Sequence, residues 1–162
     1  MTRMVVLLAV GVAAIVGVAA VAQGHGRTTG PVGVHLTTLS HATFGSSVRA
    51  DGAGVHFRTR GPKQALVTSI TVDPGGTFGW HSHPGPVIVT VAKGTLAEFH
   101  AEGHRCPRTT VTAGQAFVES GGEVHLARNA GSTPVELNAT FLARPGTTEF
   151  VIPERRPRVC HA

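Results

Sequence analysis

Gly75-Gly76-Thr77-Phe78-Gly79-Trp80-His81-Ser82-His83-Pro84-Gly85-Pro86-Val87-Ile88-Val89-Thr90-Val91-Ala92-Lys93-Gly94 is the stretch whose reading decides the fold. A second stretch completes it: Gly114-Gln115-Ala116-Phe117-Val118-Glu119-Ser120-Gly121-Gly122-Glu123-Val124-His125-Leu126-Ala127-Arg128-Asn129. In an extended strand successive side chains alternate faces, so His81 and His83 point the same way while Trp80 and Ser82 point the other. A third imidazole must come from elsewhere, and His125, which follows the turn-prone Ser120-Gly121-Gly122, is well placed if its strand lies beside the first. Three neutral imidazoles suit a divalent transition metal better than calcium or magnesium. Trp80 is expected to pack rather than to meet a ligand.

Outward from these stretches, short β-type runs recur between turn signals. Strands are expected over 34–39, 55–59, 65–72, 77–81, 87–92, 95–100, 109–112, 116–119, 124–128 and 135–142, with Asp73-Pro74-Gly75-Gly76 as a turn. No run has a helical period. Phe78, Val89, Val91, Phe117, Leu137 and Phe141 alternate as inward-facing strand residues should. The chain is the size of one domain. Its 21 Gly, 10 Pro and 5% aromatic residues agree with short strands and many turns. An all-β sandwich, barrel or jelly roll is therefore expected, because such folds bury or shorten the exposed strand edges of an open sheet. The polar stretch 101–108 reads as an exposed loop that could shape a pocket mouth.

The ends carry separate information. Residues 1–22 combine Arg3, an apolar run over 4–21 and a small-x-small site at Ala20-Val21-Ala22, as a secretory signal peptide does. An uncleaved membrane anchor is the alternative, since the run nears the ~20 residues that span a bilayer. Residues 23–33 read as a linker, 34–152 as the single β-domain and 153–162 as a basic tail. Export, to the outside or to the cell envelope, would favour a bridge between Cys106 and Cys160, the only two cysteines, over two free thiols. Closing that loop would stabilise the domain by about 2–4 kcal/mol. The net charge of +5 is scattered. Only Arg155-Arg156-Pro157-Arg158 forms a cluster, without interleaved aromatics, so no nucleic acid partner is expected and a solvated tail is the simpler reading. No G-x-S-x-G elbow or phosphate-binding glycine loop is present.

The two stretches resemble the paired motifs of the cupin superfamily, specifically a small single-domain cupin. The first motif has the form G-x5-H-x-H-x3/4-E-x6-G and is matched by Gly75, His81, His83 and Gly94. The second, G-x5-P-x-G-x2-H-x3-N, is matched by Gly114, Gly122, His125 and Asn129, with Ser120 where proline is usual. The resemblance implies a jelly-roll, or double-stranded β-helix, barrel and a divalent ion held by His81, His83 and His125, with open positions for water or ligand. Iron, zinc, nickel, manganese and copper all remain open. The resemblance also makes a homodimer possible, since such barrels often pair through sheet edges. The glutamate that usually completes the site would fall at Val87, whose side chain does not bind metal.

A +2 ion with three neutral ligands keeps its full charge inside a low-dielectric barrel, so an anionic small-molecule ligand would neutralise it. Glu98, Glu119 and Glu123 could instead supply a carboxylate, as ligand or as acceptor for an imidazole N–H, and Glu119 is the preferred one. The remaining histidines, at 25, 35, 41, 56, 100, 104 and 161, are expected at the surface. Two functional readings stand side by side: a metal-binding module that holds a small ligand or serves structurally, and a metal-dependent oxidoreductase, dioxygenase-like, acting on a small anionic substrate. A membrane would be a partner only if the N-terminal segment is uncleaved.

Overall fold

The computed structural model describes residues 30–161, so the signal-or-anchor segment and most of the expected linker lie outside the described residues. Eleven strands follow in order: β1 (Val32–Phe44), β2 (Arg49–Gly52), β3 (Val55–Arg58), β4 (Lys63–Ser82), β5 (Val87–Lys93), β6 (Thr95–His100), β7 (Arg108–Thr112), β8 (Ala116–Glu119), β9 (His125–Arg128), β10 (Val135–Ala143) and β11 (Ile152–Pro153). The described residues contain no helix. As the Val- and Thr-rich runs predict, this is an all-β jelly roll. Nine strands form one sheet in the order β7-β6-β9-β4-β10-β5-β8, with β1 and β11 also pairing to β4, and the sheet curls into a nearly closed barrel. β2 and β3 form a separate hairpin.

β4 holds the sheet together because it changes partners along its 20 residues. Lys63–Val72 pairs with β1 and β10, whereas Thr77–His81 pairs with β9, and β11 joins at His81 and Ser82. The sequence predicts a turn at Asp73-Pro74-Gly75-Gly76, but the chain runs through it as a corner within one strand. The corner is held by neighbours that the sequence does not reveal. Gly75, at a φ of 76°, donates its N–H to the Asn129 carbonyl at 3.0 Å, and Asn129 donates back to Gly76 at 2.9 Å. The buried Asn129 amide also donates to the Val72 and Thr133 carbonyls, which makes it a structural clamp.

The interior is filled by Ile70, Val72, Phe78, Val89, Val91, Leu137 and Phe141, with Phe117 packed against them. A second, smaller core lies on the outer face of the sheet. It gathers Trp80, Phe99, Leu126 and Cys160, with Cys106, Val124 and Val159 at its margin. Trp80 thus packs, as expected from its position between strand faces. The C-terminal segment covers this second core. Its four-residue basic run leaves all three arginines exposed, but the segment around it is fixed at both ends. β11 pairs with β4, the Glu154 N–H donates to the Trp80 carbonyl at 2.8 Å, and Cys160 is joined to Cys106, with Cα atoms 5.1 Å apart.

Protein recovered from an oxidising compartment is expected to carry no alkylatable thiol. Reduction should lower its unfolding free energy by about 2–4 kcal/mol, measured by denaturant titration with and without reductant. Two reactive thiols per chain in such material would rule the bridge out.

Candidate metal centre

Strand pairing places three histidines in one row. His81 on β4 lies opposite His125 on β9, and His125 in turn lies opposite His100 on β6. His83, two residues beyond His81, shares its face. Ring centroids are 4.2 Å apart for His81 and His125, 4.8 Å for His81 and His83, and 5.1 Å for His83 and His125. All three residues are buried, and one ring nitrogen from each lies within 4.8 Å of the other two. Such a group could hold a metal ion.

The hydrogen bonds of the outer ring nitrogens decide which atoms are free. His81 Nδ1 is 3.0 Å from the Gly79 carbonyl, His125 Nδ1 is 3.0 Å from the Glu123 carbonyl, and His83 Nδ1 is 2.6 Å from the Phe150 carbonyl. A carbonyl oxygen only accepts, so each Nδ1 carries a proton and, in the neutral ring, each Nε2 is left with a lone pair. Local chain geometry makes two of these bonds. Gly79 has a φ of 71° at a register shift in β4, which turns its carbonyl toward the ring two residues ahead. The third acceptor comes from the C-terminal segment.

Glu119 closes the group. Its two carboxylate oxygens stand 3.1 Å from His83 Nε2 and 3.0 Å from His125 Nε2. Glu119 is the cross-strand partner of Val87, and the fully buried Val87 side chain lines the same small interior cavity as His83 and Glu119. A carboxylate thus stands on the strand next to position 87, where the family motif carries its own. Its oxygens lie on the Nε2 side of the rings, and the Nδ1 atoms are already satisfied by backbone.

The donor set fits a cation. His125 Nε2 is buried without a hydrogen bond although a carboxylate oxygen lies 3.0 Å away. With the proton on Nδ1, lone pair faces lone pair, an arrangement that a shared cation reconciles. Without an ion, a proton on the imidazole takes the cation's place, and the electrostatics describe that state. Burial would raise the Glu119 carboxyl, but hydrogen bonding and charge from His125 and His83 outweigh it and hold the pKa at about 2. Burial, then the neighbouring His125, lowers His81 to about 3, so it is neutral. Burial also pulls His125 down, but the Glu119 carboxylate pulls it up more.

His100, expected at the surface, is instead mostly buried. Its ring stacks on His125 at 5.8 Å, its Nδ1 is 3.1 Å from Glu123 Oε1, and its Nε2 is 3.6 Å from Glu98 Oε2. Glu98 is buried, one of its oxygens has no partner, and burial pushes its carboxyl up against the pull of His100. These two residues share a face because they are two apart on β6. That alternation was readable from sequence, but the pairing of β6 with β9 that brings them to His125 was not. Glu123, the third candidate carboxylate, is turned to His100 rather than to the three-histidine group. His35 and His56 are exposed and pair with Asp73 and Asp51. His41, His104 and His161 are exposed as well, and His25 lies outside the described residues.

Comparison with known proteins follows the same residues. Residues 68–142 match the family described as Cupin domain. Germin-like protein 1-1 of Oryza sativa subsp. japonica is 30% identical over 128 residues, covering 78% of this chain and 53% of the relative. Germin-like protein 5-1 of the same plant is 32% identical over 115 residues, covering 68% and 51%. The chain thus spans about half the length of the curated relatives it matches. Among solved structures, an oxalate oxidase superposes with a TM-score of 0.51 at 27% identity over 78% of this chain and 58% of that one. A recombinant oxalate oxidase in complex with glycolate gives the same score and identity over 77% and 58%.

In chelator-treated protein, Val87→Glu is expected to lower the unfolding free energy by about 1–3 kcal/mol, because a second carboxylate enters a buried strand pair opposite Glu119. Thermal melts check this. An unchanged Tm would show that the side chain at 87 reaches solvent.

Proposed function

The chain carries a small cupin-type domain, and we propose that it is a metal-centre protein in which His81, His83 and His125, with Glu119, hold one divalent transition-metal ion and present it to a small carboxylate. One observation carries this reading: all three Nδ1 atoms are committed to backbone carbonyls, which leaves three Nε2 lone pairs converging beside a buried carboxylate. A bound ion would supply Lewis acidity at that point.

The chain's own residues do the rest. Glu119 removes one unit of the ion's charge, leaving a net +1 that attracts an anionic ligand. Val87, Phe78 and Phe141 keep the adjoining space apolar, which strengthens that attraction. The space is small: about 20 Å³, or room for roughly one water-sized molecule with the side chains as they stand. The leader-like start of the sequence and the bridged cysteines support placing this centre outside the cytosol.

A second reading, a metal-dependent oxidoreductase acting on a small organic acid, is favoured by the two oxalate oxidase superpositions.

Purified protein is expected to bind one equivalent of divalent metal. His125→Ala and Glu119→Gln should each weaken that binding by at least roughly tenfold, whereas His104→Ala should leave it unchanged. Adding Val87→Glu to Glu119→Gln should restore part of the loss, since the two positions are cross-strand partners. Isothermal titration measures all four variants, and wild-type affinity in His125→Ala would sink the centre. Oxygen uptake by metal-loaded protein on oxalate and glycolate then decides between the readings: turnover supports the oxidoreductase, and saturable binding without turnover supports the binding module.

A further inference from the structure

Away from the histidines, the β2–β3 hairpin and the outer face of the β10-β5-β8 sheet enclose a groove of about 560 Å³. That is within the size range of sites for organic ligands. Its floor is apolar, made by Pro86, Ile88, Val118 and Leu142. Ile88 and Val118 stand 41% and 66% exposed there, and Val55 at the hairpin end is 64% exposed. Singly exposed apolar side chains are ordinary, but three converging on one concave surface are a binding feature.

The rim has one sign of charge. Arg58, Arg60, Lys63 and Arg144 line the groove, and no acidic residue does. Among the described residues, none of these four makes a salt bridge, although the chain's other ion pairs engage Arg49, Lys93 and five of its histidines. Lys63 spends its ammonium hydrogen bonds on the Arg60 and Pro62 carbonyls, which leaves its charge uncompensated. Four cations over an apolar floor attract an anion that also has an apolar body.

Few carboxylates of this chain are free to supply that anion. Residues 1–29 contain no Asp or Glu. A second copy could offer few carboxylates. Of the nine acidic residues, Glu98 and Glu119 are buried. Asp51, Asp73, Glu123 and Glu136 are already paired, and Glu154 accepts from Ser82. Only Glu102 and Glu149 remain.

We propose that this groove binds a free amphiphilic organic acid: its carboxylate or sulfonate meets Arg58 and Arg144 with help from Arg60 and Lys63, and its hydrocarbon or aromatic body lies on Ile88 and Val118. The site is separate from the metal centre and does not depend on it.

The test uses the full-length protein and two fluorescent probes of similar apolar body, anionic 8-anilinonaphthalene-1-sulfonate and uncharged N-phenyl-1-naphthylamine. The anionic probe should bind saturably, one per chain, be displaced by dodecanoate, and weaken as ionic strength rises. Replacing both Arg58→Gln and Arg144→Gln should weaken it by roughly tenfold, equivalent to about 1.4 kcal/mol, with less than about a twofold change for the uncharged probe. Val118→Ser should weaken both probes. Anionic-probe binding that dodecanoate does not displace, or that is insensitive to both salt and the arginine pair, overturns the proposal. So does sedimentation with phosphatidylglycerol vesicles in the absence of dodecanoate binding, which would assign the surface to a membrane. Should the double variant fail to fold, the salt dependence and dodecanoate competition of the wild type still decide the matter.

Discussion

Three imidazole N–H groups bound to three backbone carbonyls fix the polar end of this barrel. Without those bonds each ring could flip or exchange its proton between nitrogens, and no lone pair would have a set direction. With them, the inward nitrogens of His81, His83 and His125 are acceptors whenever the rings are neutral, and they point at the one acidic side chain among them. The acceptors come from different parts of the chain. Gly79 and Glu123 lie two residues before the rings they hold, so β4 and β9 carry their own anchors. Phe150 belongs to the C-terminal segment, so the orientation of His83 depends on that segment staying in place. β11, the Glu154 backbone and the bridge at Cys160 keep it there.

Local alternation was the reliable part of the sequence. It placed His81 and His83 on one face, Trp80 on the other, and Phe78, Val89, Val91, Leu137 and Phe141 inside, and all of these stand so in the fold. Partner-dependent features were not readable. Asp73-Pro74-Gly75-Gly76 has turn composition, yet Asn129 supplies hydrogen bonds that carry the strand through it. β2 was not anticipated, since Arg49–Gly52 has neither a long apolar run nor alternation and exists only as the partner of β3. His100 has no motif spacing of its own and reaches the centre only because β9 lies between β4 and β6.

The position of the carboxylate makes the same point in energetic terms. A motif counts residues along one strand, whereas a metal senses charge in space. Val87 and Glu119 are opposite each other on adjacent strands, where side chains on one face lie about 5 Å apart. A carboxylate lost from one can be replaced from the other with little change in the position of its charge. Val87 itself packs, joining Val89 and Phe141 in the interior.

Among the described residues, two of the three buried side-chain polar atoms without a hydrogen bond, Glu98 Oε1 and His125 Nε2, lie at this one end of the barrel. An unsatisfied buried group costs about 1–3 kcal/mol, against a total stability of about 5–15 kcal/mol for an ordinary domain. Two such groups are thus a large fraction of the margin, and scattered through a core they would be hard to tolerate. Here they are gathered where β4 pairs with β9 and β11 and the second core closes over Trp80 and Leu126. Rigid surroundings stop the rings from relaxing toward other partners, which is what a preorganised ligand set requires. The Glu119 carboxyl beside these rings is held at a pKa of about 2, against burial, by His125 and His83: without an ion, protonated imidazole balances its charge, and a cation taking the place of that proton would keep it an anion.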